Sequence, residues 1–144
     1  MDGVPFCYNA FVEVAAVEAK AKAAARVICE LEKSKRYLHE TIKRAEKYRM
    51  DYRRFSYLKS VRDMMEWDQA RIARFRREIE GIEAAIASIS DDLDRRIVSM
   101  RAQGKSWAAV STALYLSEET AMRRFCRACA ALIPAMREAG LIRE

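Results

Sequence analysis

The chain has 144 residues and a formal net charge of +6, with only 4 Gly and 2 Pro. That length gives one ordinary domain, or a small domain with an extension, and the scarcity of breakers beside abundant Ala, Glu, Arg, Ile and Leu makes the expected class all-α. No apolar run approaches the ~18 residues of a membrane span, and the opening MDGVPFCYNAF lacks the basic-then-hydrophobic order of a signal peptide, so a cytoplasmic protein without a membrane partner is expected.

From the N-terminus, apolar positions step by three and four through Val14, Val17, Ala21, Ala24, Ile28, Leu31, Lys35, Leu38, Ile42, Ala45, Arg49 and Tyr52. A second row follows through Met65, Asp68, Ile72, Phe75, Ile79, Ile82, Ile86, Ile89 and Leu93. Stripes this narrow are the seams of coiled coils. The stretch DYRRFSYLKS, residues 51–60, can reverse the chain, so the simplest arrangement over residues 1–89 is an antiparallel helical hairpin. A parallel or four-helix homodimer through the coiled coil is the rival, because heptads specify a seam and not a stoichiometry.

Charge concentrates where the chain would reverse. Residues 33–77 hold 15 Lys or Arg against 6 Asp or Glu. These are either the solvated faces of a coiled coil, their long stems covering the seam, or a second phosphate-contacting surface with Arg53, Arg54 and Lys59 at its tip.

A boundary is expected near Ser90, in SISDDLDRR. Ser90 is placed to cap a helix whose first turn carries Asp91, Asp92 and Asp94, which explains the acids as partners of the helix's positive end rather than as a metal or catalytic cluster. That helix should bury Leu93, Ile97, Val98 and Met100 and end at Gly104. Ser106 then caps a short helix with Trp107, Val110 and Leu114 on one face, and Ser117 caps a third. Projected at 100 degrees per residue, the third helix turns Ala121, Phe125, Ala128 and Leu132 to one side with Cys129 at its edge. Glu118, Glu119, Met122, Arg123, Cys126 and Arg127 lie outward, with Arg124 on a flank. Pro134 is expected to break this helix near Ile133, with a tail folding back through Met136, Leu141 and Ile142.

Helix, tight turn and helix in that order can place the last helix in a DNA major groove. Arginine reads guanine through two bonds and an N-terminal glutamate accepts from cytosine, which makes Glu118, Glu119, Met122, Arg123, Cys126 and Arg127 the candidate base readers. Lys105, Ser106, Ser117, Thr120 and Arg124 are the candidate phosphate contacts. Residues 90–144 form the expected DNA-binding domain.

The run Ser106, Trp107, Ala109-Val110-Ser111, Ala113-Leu114, Tyr115-Leu116, Ser117, then Arg123 to Arg127, Ala128 and Leu132, resembles the region-4 helix-turn-helix of sigma-70-type factors and the sigma-like phage transcription regulators of the ArpU and RinA sort. The family usually has Glu at the position of Ala109, so the reciprocal capping box is absent here. It often has Gly at the position of Tyr115, where a positive φ would cost tyrosine on the order of 1 to 2 kcal/mol, so another turn conformation is expected. The resemblance implies a phage or prophage sequence-specific transcription regulator that binds double-stranded DNA, its hairpin either dimerising the protein or engaging RNA polymerase. A packaging protein of the small-terminase sort, loading DNA through the same motif, is the alternative.

No catalytic chemistry is expected. His39, the one histidine, stands on a heptad-rich helix with no nucleophile motif or Gly-rich phosphate loop near it. Cys126 and Cys129 form a CxxC with no second ligand pair nearby, so neither a metal nor a cofactor is expected. With Cys7 and Cys29 they form no disulfide framework; Cys129 reads as a small core hydrophobe and Cys126 as a surface residue.

Overall fold

The computed structural model describes residues 21–142; Cys7, Val14 and Val17 lie outside the described residues. The described chain is all-helical, with no strand. Residues 21–29 are helical and lead through Glu30 into α1 (Leu31–Lys47), followed by α2 (Arg49–Arg54), α3 (Lys59–Ala87), α4 (Asp92–Ala102), α5 (Trp107–Leu114) and α6 (Glu118–Glu138). No described helix is long and apolar enough to cross a membrane.

Residues 55–58 turn the chain, and α3 comes back along α1. Lys35 meets Glu83, Tyr37 packs obliquely on Phe75 at 5.9 Å between centroids, and Arg44 meets Asp68. The turn is held by its own polar groups: Ser56 Oγ donates to the Arg53 carbonyl, and one Arg62 nitrogen donates to the carbonyls of Ser56 and Tyr57.

The second apolar row is buried or half-buried along its length, and over the described residues so is the first, except at its two basic members, Lys35 and Arg49. Ala21, Ala24, Ile28, Leu31 and Tyr52 are buried as expected and Leu38, Ile42 and Ala45 half-buried, while Ser34 and Thr41, each one step from the row, are buried beside it. Lys35, expected in the seam, is exposed. A helix of 3.6 residues per turn drifts against a 3.5 repeat, so a polar residue one step away can inherit the buried line. Thr41 satisfies itself there by donating to the Tyr37 carbonyl at 2.7 Å.

The apolar end of this helical pair is continuous with the packing of the last three helices. Ile28, Leu31, Ile82 and Ile86 belong to one cluster with Ile97, Val98, Val110, Phe125, Cys129 and Met136. Leu93, Met100, Trp107 and Leu114 pack at its margin.

Two local expectations are corrected. The residue capping α4 is Asp91, whose carboxylate accepts from the Asp94 backbone N–H at 2.8 Å, and not Ser90. Pro134 does not end α6, which continues to Glu138. Ile133 and Met136, on either side of the proline, are both buried, and their packing holds the helix together across the missing N–H. The helix stops instead at Gly140, with φ of +74°, where Leu141 N–H bonds the Met136 carbonyl and Gly140 N–H that of Arg137. Leu141 then lies against α3 at Gly81, where a β-carbon would stand 3.1 Å from a Leu141 methyl.

Candidate functional site

Each junction around α5 follows from a local signal in the sequence. α4 ends with Gly104 at φ of +83°; its N–H bonds the Arg101 carbonyl and the Lys105 N–H bonds that of Met100, so the left-handed glycine satisfies the last carbonyls of the helix. Ser106 then accepts from Ala109 N–H and Ser117 from Thr120 N–H, each at 3.1 Å, and these caps fix where α5 and α6 begin. Arg101 braces the first turn: its guanidinium stacks over Trp107 at 4.4 Å and donates to the Lys105 carbonyl at 2.7 Å. Trp107 in turn meets Phe125 of α6 edge-on, 5.3 Å between centroids.

The second turn takes the conformation that its tyrosine was expected to avoid. Tyr115 sits at φ 55°, ψ 43°, the one non-glycine residue with positive φ among those described. Ser111 makes this tenable. Its hydroxyl donates to the Leu116 carbonyl while its own carbonyl accepts from Leu116 N–H, and these bonds close the turn on both sides of Tyr115.

α6 is seated by Ala121, Phe125, Ala128, Cys129, Leu132, Ile133 and Met136, all buried. The projected outward residues Glu118, Glu119, Met122, Arg123, Cys126 and Arg127 are all exposed. They stand together on the first three turns of one helix. Arg123 rests on Glu119 at 3.0 Å, an exposed i,i+4 pair whose guanidinium can change partner at small cost.

The candidate phosphate contacts are placed less uniformly. Lys105 is exposed beside the first turn, at the edge of a cleft of about 700 Å³ shared with Arg95 and Arg96. The Ser106 and Ser117 hydroxyls cap their helices, and Thr120 is half-buried with its hydroxyl against that of Ser117 at 2.8 Å. Arg124 is engaged inside the molecule, donating to Asp94 at 3.0 Å and lying 3.6 Å from Asp91. It ties α6 to the start of α4. No short-range pattern announces this pair, because the two residues are 30 positions apart. Arg101 and its stack on Trp107 also escaped the sequence reading, although Arg and Trp six residues apart around a glycine turn were a usable signal.

Arg53, Arg54 and Lys59 are exposed at the far end of the long helical pair and do not share a surface with α6. The two CxxC thiols have separate fates: Cys126 is exposed and Cys129 is buried. Burial, with smaller contributions from Cys126 and Cys29, pushes the Cys129 thiol up to about 12. Among the described residues no group of three or more His, Cys, Asp or Glu side chains could hold a metal ion. Comparison with protein-family models, with curated proteins and with solved structures returned no match.

Proposed function

We propose that the protein is a sequence-specific DNA-binding transcription regulator in which α5 and α6 act as a helix-turn-helix and the outward face of α6 reads base edges. The observation that carries this reading is the division of α6. One side is committed to the core, while the other offers Glu118, Glu119, Met122, Arg123, Cys126 and Arg127 to the outside in the first three turns. Arg123 and Arg127 suit guanine, Glu118 or Glu119 suits cytosine, and Met122 suits a thymine methyl. Lys105 holds a phosphate beside the first turn, while Arg124, paired with Asp94, acts mainly by fixing the angle of α6.

The long pair of helices is the part that engages a second partner, either RNA polymerase or another copy of the chain through its coiled-coil seam. The resemblance to sigma-like phage regulators supports the first of these. Selecting bound sequences from random duplexes tests the proposal: a short motif enriched over the starting pool is expected, and two spaced copies of it would indicate a dimer. Recovery of unenriched DNA, or of none, overturns it.

A further inference from the structure

Among the described residues, large exposed hydrophobic side chains are confined to two places: residues 48–67 around the chain reversal, and Tyr115 with Met122 beside the outward face of α6. Tyr115 is the extreme case, 96% exposed. Its side chain makes no hydrogen bond or ring contact with any described residue, while its backbone holds the left-handed conformation that disfavours every residue with a β-carbon. Glycine would suit that backbone better and would expose less apolar surface. Ordinarily a strained residue is compensated by packing or bonding of its side chain; here the turn is secured by Ser111, and among the described residues the ring has no bonding partner.

We infer that Tyr115 contacts DNA, its phenol hydroxyl donating to a backbone phosphate at the edge of the groove that α6 enters. This rests on the proposed helix-turn-helix reading and extends it to a residue outside the recognition helix. The placement follows from chain geometry. Tyr115 stands two residues before the Ser117 cap, within roughly 7 Å of chain from the residue that caps α6. A major groove is about 12 Å wide, so when the first turn of α6 faces base edges, a side chain projecting outward from the preceding turn lies against the phosphate wall. Tyrosine is a regular phosphate donor in such interfaces, and the contact carries no base preference.

The test uses the full chain, an enriched duplex from the selection and a scrambled duplex of equal length. Y115G should unfold at a higher temperature than the wild type, since it relieves the backbone, and yet bind both duplexes roughly tenfold more weakly, the loss typical of one hydrogen bond to a charged group. Y115F should melt with the wild type and lose affinity to a similar degree on both duplexes. Y115G binding as tightly as the wild type overturns the inference. Y115F with undiminished affinity overturns the assignment of the hydroxyl to phosphate. A wild-type chain that binds neither duplex overturns the DNA reading itself, and so separates that failure from a failure of Tyr115 alone.

Discussion

Asp68 occupies a seam position where an aliphatic residue would ordinarily sit, and it is 2% exposed. Its carboxylate accepts from the Arg44 guanidinium and from the Tyr52 hydroxyl, the latter at 2.9 Å, while Arg44 also lies over the Trp67 ring. Burial, and then the bond to Asp68, holds the Tyr52 phenol above its ordinary value. Truncating Asp68 to Ala leaves Tyr52 without its acceptor, but Arg44 is 40% exposed and recovers water. Asp68→Ala should therefore cost about 2 kcal/mol in a urea titration, below the loss for a fully buried pair. Cys129 makes a prediction in pH. Its folded value lies at about 12 against 9.0 for an ordinary thiol, so its contribution is complete below pH 9 and is lost as pH rises from about 9 toward 12. Between pH 8 and 11 this group should account for about 2 kcal/mol of lost stability, and Cys129→Ala should flatten that part of the pH profile.

At the scale of elements, the three turns from Gly104 to Gly140 show which sequence signals suffice. Gly104 is open on every side, so Gly104→Ala meets no steric obstacle and should cost about 1 kcal/mol from backbone strain alone, measured as a lowered unfolding midpoint. The positions of Gly104, Ser106 and Ser117 were legible because a cap is a rule of adjacent residues. Three other positions were not, for reasons lying outside their own neighbourhood. Pro134 is overruled by the burial of Ile133 and Met136, and Lys35 is displaced from the seam by Ser34 and the drift of the helix. Tyr115 keeps a positive φ because Ser111 bonds across the turn, a side-chain contact that the dipeptide at the turn does not encode. The cap at Asp91 was a near miss between two adjacent good capping residues, decided by which one reaches the Asp94 N–H.

Across the whole molecule, the all-helical class follows from composition, and the buried face of α6 from its spacing. What fixes the helices against one another does not: Arg124 with Asp94, which ties α6 to α4, and Leu141 against Gly81, which ties the end of the chain to α3, are distant in sequence and become visible only once the helices are packed. The two exposed surfaces separate the functional questions. The reversal carries Arg53, Arg54 and Lys59 together with exposed Tyr57 and Met50, and α3 alone extends about 43 Å at 1.5 Å per residue, which sets this basic end apart from α6. Neutralising all three cations should lower the salt dependence of DNA binding by about two to three phosphate contacts if that end touches DNA. An unchanged slope with lost polymerase or self-association assigns it to a protein partner.

In the proposed reading α6 distinguishes sequences through its outward arginines, and equilibrium binding of Arg123→Ala is the decisive measurement. On an enriched duplex the variant should lose about 1 to 3 kcal/mol while its affinity for a scrambled duplex changes little. Equal loss on both duplexes would mean that Arg123 touches only the backbone, and no loss on either would mean that this face of α6 does not meet DNA.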